Sequence, residues 1–215
     1  MVSIKQEEAK QNRGLLQYIL KRTPFTQFIV QENGLNDGRF MEWAFHPGML
    51  FGALNKWWGC QGERTRPHEG LDLCFYKDRY NKIFRLDKKT KIPVMYDGVI
   101  VKVLDDFLGQ SVLVEHRLSD LTMSRFYSIY GHTVPNGNLK VGMDVKQGGI
   151  IATIADAAQT KKNVLSHLHV SVGWSSQEIF YDQLDWDKIS TQETLTLIDP
   201  LNILDGDYSI LGIGE

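Results

Sequence analysis

The sequence predicts a mostly β protein whose strands run antiparallel and form a sandwich with a groove, or a barrel. From Pro93 onward, short segments alternate apolar and polar residues, and Gly, Asn and Asp turns separate them. Asp97-Gly98 is one such turn, with β-branched residues on both sides. Strands do not alternate with helical segments, which argues against a parallel sheet. The predicted strands cover residues 94–103, 111–117, 124–132, 149–155 and 167–172.

The segments on either side differ from this pattern. Residues 5–22 read as an amphipathic helix that ends at Thr23-Pro24. Residues 39–62 are rich in aromatic side chains, which we expect to pack as core on the flank of the main domain. We predict an N-terminal helix and flanking segment, a central domain and a C-terminal extension packed on that domain, covering residues 1–62, 63–175 and 176–215 respectively.

Composition narrows the classes of function. The net charge of −2 over 215 residues lacks the basic excess that nonspecific nucleic-acid binding needs. No stretch of about 18 apolar residues predicts a transmembrane span. The N-terminus has no apolar signal-peptide core, so either the protein stays inside the cell or an export signal lies outside this sequence. Cys60 and Cys74 could form a disulfide or remain two thiols.

His68 and Asp72 form the first candidate metal-binding motif. They stand four residues apart, so on an extended segment both side chains point to the same face. Gly70 between them has no side chain, which lets a metal or a substrate approach. Imidazole and carboxylate are both good zinc ligands. The motif alone would equally fit a surface loop.

A second motif lies in Ser166–Val172, where polar and apolar residues alternate strictly. Leu168, Val170 and Val172 face a core, whereas His167, His169 and Ser171 face the other way. The two imidazoles therefore project side by side: either both bind one ion, or one binds it and the other acts beside it. His132 ends another alternating segment, although alone it would be a weak indication.

The order of these motifs resembles a known family. H-x-G-x-D, then Y-x-H about 60 residues later and H-x-H about 35 further on, is similar to the lysostaphin and LytM-type zinc endopeptidases, peptidase family M23. The resemblance covers residues 66–174 and includes Tyr96-Asp97-Gly98-Val99, residues 112–116 and residues 139–151. Residues 163–166, Asn-Val-Leu-Ser, replace the small residues and glycine usual before H-x-H, which affects a loop near the groove.

The resemblance implies a LytM-like fold of the duplicated-hybrid-motif type and one zinc ion per chain. His68, Asp72 and His169 would be the zinc ligands, with His132 and His167 unliganded beside the metal. Zinc-bound water would hydrolyse peptide bonds in peptidoglycan stem peptides or cross-bridges, assisted by these two histidines. The family implies a periplasmic or secreted protein of the cell envelope, and a cytoplasmic location stays open.

His116 and Tyr130 are candidates for a supporting role beside the metal or in the substrate groove, although for His116 plain packing is the favoured interpretation. The absence of H-E-x-x-H excludes a helix-borne zinc protease plan. Two alternatives remain: a catalytically inactive relative that acts as a regulator or scaffold, and a zinc peptidase acting on a peptide outside the cell wall. The complete set of zinc-ligand residues argues against the catalytically inactive relative. A purely structural zinc site would more usually have four Cys or His ligands.

Overall fold

The computed structural model describes residues 22–59, 62–116, 125–159 and 164–212. It confirms the predicted mostly β, antiparallel architecture. Residues 5–21 of the predicted helix at 5–22, and Cys60, lie outside the described residues. Cys74 is buried, and burial raises the pKa of its thiol to about 12. None of the helices in the described ranges has the length and apolar character needed to cross a membrane.

Thirteen strands and two α-helices form the described part of the chain. The strands are β1 (Glu42–Phe45), β2 (Leu71–Leu73), β3 (Phe75–Lys77), β4 (Ile83–Arg85), β5 (Lys91–Pro93), β6 (Gly98–Asp105), β7 (Gln110–His116), β8 (Arg125–Pro135), β9 (Asp144–Val145), β10 (Ile150–Ile154), β11 (Leu168–Ser175), β12 (Thr196–Ile198) and β13 (Asp207–Ile210). The α-helices are α1 (Phe25–Glu32) and α2 (Trp186–Ser190), and 3-10 turns cover Pro47–Met49, Ala157–Gln159, Tyr181–Gln183 and Pro200–Asn202.

The strands form two sheets. The larger one has the order β12-β11-β8-β7-β6-β9, with antiparallel neighbours. β2 pairs with the beginning of β11 and β12 with its end, while β10 connects β8 to β5. The smaller sheet has the order β13-β1-β3-β4, in which β13 and β1 are parallel. Because β2 and β3 are separated by a single residue, the two sheets meet beside the first metal-binding motif.

Both faces of the central strands are buried. Phe126 and Tyr130 of β8 belong to the main core, whereas Tyr127 and Ile129, on the opposite face, belong to a second core. The C-terminal extension supplies much of that second core, through Ile179, Leu184, Ile189, Leu195 and Leu197. Every residue of β11 is consequently buried, including His169 and Ser171 on the face opposite to Leu168, Val170 and Val172.

Backbone hydrogen bonds join residues on the two sides of residue 62, the predicted boundary between the flanking segment and the central domain. His68 donates its backbone N–H to the Ala53 carbonyl at 3.0 Å and accepts from the Gly52 N–H at 2.8 Å. Trp43 and Phe45 of β1 are buried in the main core, as we expected for the aromatic-rich segment. The three-part domain division itself stays a prediction.

Candidate metal centre

Strand pairing brings the two histidine motifs together. β2 and β11 are antiparallel and place Asp72 directly opposite His169. Directly opposite residues on neighbouring strands have Cβ atoms only about 5 Å apart, so these two side chains meet. His68 precedes β2 and is held there by its backbone bonds to residues 52 and 53. The structure thus brings together His68, Asp72 and His169, all of them buried.

Three potential ligand atoms converge at the centre of this cluster. His68 Nε2 and His169 Nδ1 are 3.1 Å apart, and Asp72 Oδ1 lies 3.2 Å from the former and 2.9 Å from the latter. Ligands at about 2.0–2.1 Å from a tetrahedral zinc ion are about 3.3 Å from one another. The triangle therefore has nearly the size that zinc requires.

The protonation pattern of the cluster also suits a cation. His68 Nδ1 lies 3.0 Å from the Leu50 carbonyl, which can only accept a hydrogen bond, so Nδ1 carries the proton and Nε2 a lone pair. His169 Nε2 contacts the Ser171 hydroxyl at 2.9 Å, which leaves Nδ1 for the cluster. The lone pair of His68 Nε2 and the Asp72 carboxylate, 3.2 Å apart, repel each other unless a proton or a metal ion lies between them. The donor set therefore fits zinc.

His132 and His167 lie beside the triangle. Their rings are 4.8 Å apart between centroids, and His132 is 5.6 Å from the ring of His169. His167 donates from Nδ1 to the Leu165 carbonyl at 2.7 Å, so its Nε2, 3.5 Å from Asp72 Oδ1, carries the lone pair. The structure thus places all five family-matched side chains in one cluster.

A β-bulge directs His132 into this cluster. Between the pairs Val112–Tyr130 and Gln110–Thr133, one residue of β7 faces two residues of β8. His132 has a positive φ of 62°, so it departs from the extended conformation that would place it on the same face as Tyr130. Bulges commonly redirect side chains next to functional sites.

Asp106 holds His132 in this orientation. One carboxylate oxygen accepts the His132 backbone N–H at 2.7 Å and the other contacts His132 Nδ1 at 3.0 Å. The Ser111 hydroxyl and the backbone N–H groups of Leu108 and Gly109 donate to the same carboxylate. Nδ1 is therefore the protonated nitrogen, and Nε2 is left with its lone pair.

The pKa values of these groups follow from burial and from their partners. Burial alone would raise the pKa of Asp106, but its hydrogen bond and charge interaction with His132 lower it well below its usual value. Burial lowers the pKa of His132 to about 4, although Asp106 opposes this. Burial would also raise the pKa of Asp72, yet His68 and His167 lower it strongly. Both carboxylates are therefore ionised at neutral pH.

The cluster lies in a cavity of about 570 Å³. Aromatic side chains at its walls contact the histidines: the Phe107 ring lies 6.1 Å from His132 and the Trp186 ring 5.5 Å from His169. Trp58 and the basic residues Lys56, Arg64 and Arg66 line another part. The cavity is thus large enough for a peptide segment.

Sequence reasoning missed four residues of this site: Trp57, Arg64, Asp106 and Trp186. Trp57 was expected only as core, yet its indole N–H donates to Asp72 Oδ2 at 2.6 Å. Asp106 follows β6 and contacts His132, which lies 26 positions later in the sequence. Trp186 comes from the C-terminal extension. No spacing pattern connects these residues to the histidine motifs, so only their positions in space identify them.

Position 70 requires a glycine because the backbone of β11 passes too close to leave room for a side chain. A Cβ atom added there would lie 2.4 Å from the Val170 carbonyl oxygen and 2.7 Å from His169 Nε2. The space we assigned to a metal or a substrate is thus occupied by the protein itself. We expect Gly70→Ala to destabilise the fold by about 1–3 kcal/mol and to weaken metal binding, measured by urea unfolding and metal titration.

Gly137→Ala is the matched control, because a Cβ there would meet nothing within 4 Å. Equal free energies of unfolding for the two variants would contradict this role of Gly70.

His116 and Tyr130 make their contacts outside the cluster. His116 pairs with Phe126, six positions before His132, which is about 20 Å along an extended strand. Its Nε2 contacts the Ser128 hydroxyl at 2.7 Å and its Nδ1 the Asp97 carbonyl at 3.1 Å. The Tyr130 hydroxyl accepts the Met95 N–H at 2.8 Å inside the main core. These contacts support packing roles, and the predicted supporting roles at the metal stay untested.

His116 should make the fold sensitive to acid. Burial lowers its pKa to about 4, although its hydrogen bond with the Asp97 carbonyl opposes this, and an unfolded histidine titrates near pH 6.5. The stability that neutral His116 contributes to the fold is therefore fully present above about pH 6.5, and it is lost as the pH falls toward 4. His116→Gln should reduce the slope of unfolding free energy against pH by about 1 kcal/mol per pH unit in this window. Unfolding in urea with a chelator present measures it, and an unchanged slope would contradict it.

No protein-family model matches the chain, and no curated protein matches it. Solved structures that match include a mutant catalytic domain of EnpA, a prophage-encoded M23 protein from Enterococcus faecalis. It is 20% identical, with a TM-score of 0.37, over 63% of this chain and 88% of that one. A chain of the SpoIIQ–SpoIIIAH pore-forming complex is 16% identical, with a TM-score of 0.41, over 88% of this chain and 94% of that one. Lysostaphin is 16% identical, with a TM-score of 0.44, over 82% of this chain and 58% of its own length.

Proposed function

We propose that this chain is a zinc-dependent endopeptidase of the M23 type, with the zinc ion held by His68, Asp72 and His169. One observation carries the proposal: three ligand atoms meet within 3.2 Å of one another in an open cavity. Three protein ligands are typical of catalytic zinc sites, which keep one position for water or substrate. Two more histidines stand beside the triangle without being needed as ligands.

A zinc ion held by His68, Asp72 and His169 would supply Lewis-acid activation of water and of the peptide carbonyl group. The chain itself supplies proton transfer. His132 Nε2 has its lone pair available because Asp106 holds the other nitrogen, so it can take a proton from the attacking water. The same atom can return that proton to the departing amine nitrogen as the C–N bond breaks.

His167 is the second assisting group. Its Nδ1 is committed to the Leu165 carbonyl, and its ring is fixed between His132 and Trp57, at centroid distances of 4.8 and 5.1 Å. Once its Nε2 has accepted a proton, a histidine held this firmly can donate from Nε2–H to the carbonyl oxygen that gains negative charge, without first reorganising.

Peptidoglycan is the proposed substrate, on the strength of the motif resemblance. The aromatic walls formed by Trp58, Phe107 and Trp186 suit an extended peptide segment that lies over the histidines. A cell-wall substrate would place the protein in the cell envelope.

The test is digestion of purified peptidoglycan, and of free peptides of the same sequences, followed by mass spectrometry of the released fragments. We expect new peptide ends that disappear with a zinc chelator and return when zinc is added back. Cleavage of free peptides alone would identify a zinc peptidase with a substrate outside the cell wall. Bound zinc without any cleavage would contradict the endopeptidase and favour an inactive regulator.

A further inference from the structure

The two carboxylate oxygens of Asp72 have different surroundings. Oδ1 faces three imidazoles, with His68, His167 and His169 at 3.2, 3.5 and 2.9 Å. Oδ2 instead faces two donors from the segment before the first motif, Trp57 and Arg64. Asp72 is only 1% exposed, so water contributes little to the solvation of its carboxylate. Its orientation therefore depends on these protein partners.

Trp57 provides the direct contact. Its indole N–H donates to Asp72 Oδ2 at 2.6 Å, and its ring also contacts His167 edge to face, 5.1 Å between centroids. An indole N–H is a donor only, so it neither binds a metal nor exchanges its role with pH. One side chain thus fixes both the outer oxygen of a candidate ligand and the ring of a candidate catalytic histidine.

Arg64 provides the charge. Its Nη2 atom is buried, has no hydrogen-bond partner among the described residues, and lies 3.9 Å from Asp72 Oδ2. Nη1 donates to the Asn55 carbonyl, and the guanidinium group stacks 4.9 Å from the ring centroid of Trp58. A buried guanidinium nitrogen without a partner is costly. Its position is explained by attraction to the Asp72 carboxylate.

We infer that Trp57 and Arg64 are positioning residues of the metal centre. They hold Oδ2 of Asp72 away from the ion, so that the carboxylate coordinates through Oδ1 alone. A carboxylate free to rotate could coordinate through both oxygens and would occupy the position that catalysis needs for water or substrate. This inference rests on the proposed zinc site and extends it to the flanking segment.

The test compares metal affinity in Trp57→Phe and Arg64→Met with two matched controls. Trp43→Phe removes another buried indole N–H, which donates to the Thr26 hydroxyl at 2.9 Å instead of to Asp72, and Arg66→Met removes a cavity-lining charge that pairs with Asp187. We expect both test variants to bind zinc about 10–100-fold more weakly in chelator competition, the range typical of partners of metal ligands. The controls should stay within about threefold of the unmodified protein.

A second readout separates positioning from general loss of structure. With cobalt(II) in place of zinc, binding of the second carboxylate oxygen raises the coordination number and weakens the visible absorption. We expect weaker absorption per bound cobalt in Trp57→Phe, and unchanged absorption in Trp43→Phe. If Trp57→Phe does not fold, as judged by melting of the metal-free protein, Arg64→Met carries the same test.

The outcomes distinguish this inference from the proposed function. Unchanged zinc affinity and cobalt spectrum in a folded Trp57→Phe or Arg64→Met variant would overturn the positioning role while leaving the zinc site intact. Failure of the unmodified protein to bind zinc would overturn the proposed function and the inference together.

Discussion

Replacing His169 with alanine is expected to abolish zinc binding and peptide hydrolysis together. The substitution removes Nδ1, one corner of the triangle, and leaves the buried Asp72 carboxylate with only His68 as a second ligand. The loss of zinc affinity should exceed 100-fold, because loss of an outer partner alone costs 10–100-fold. Metal content after dialysis and chelator competition measure it.

His167→Ala is the matched control for this prediction. It removes a buried imidazole two residues away that also faces Asp72 Oδ1, but it takes no ligand from the triangle. We expect this variant to retain one zinc ion and to lose activity. Wild-type zinc affinity in His169→Ala, or loss of zinc in His167→Ala, would show that the ligands are assigned wrongly.

Replacing His132 with alanine is expected to leave zinc binding intact and to reduce kcat/KM by about 10²–10⁴-fold, the usual contribution of a general acid–base group. His132 Nε2 is the proton-transfer atom in the proposed mechanism, and His132 is not part of the triangle. Measurement of peptide cleavage at a verified content of one zinc per chain separates the two effects.

The backbone conformation of His132 makes a second variant necessary. A positive φ of 62° is costly for alanine but not for glycine, so His132→Gly removes the imidazole without adding strain. Both variants should lose activity to the same extent if the imidazole matters. Full activity in His132→Gly would rule out its catalytic role.

Much of the fold and the ligand geometry could be predicted because they depend on local patterns. Alternation in residues 167–172 indicated a strand with two histidines on one face; β11 carries His169, while His167 directly precedes the strand. The even spacing of His68 and Asp72 likewise placed both side chains on one side. Strand pairing then brings Asp72 opposite His169, two residues that only the family resemblance had grouped together.

The side chains that hold the histidines and Asp72 in place could not be predicted, because their contacts join residues that are distant in sequence. His132 reaches the cluster through a β-bulge and a positive φ, which alternation does not reveal. Asp106 and Trp57 meet their partners from loops, where no periodicity applies. Ile189 and Leu195 of the C-terminal extension belong to the second core, and their scattered spacing gave no sign of which face of the sheet they would cover.

The most direct test of the central claim is a crystal structure of the zinc-soaked protein with anomalous data collected on both sides of the zinc absorption edge. The account predicts one strong peak about 2.0–2.2 Å from His68 Nε2, Asp72 Oδ1 and His169 Nδ1, with His132 and His167 outside bonding distance. No peak in the triangle, or a peak ligated by His167 in place of His169, would contradict it.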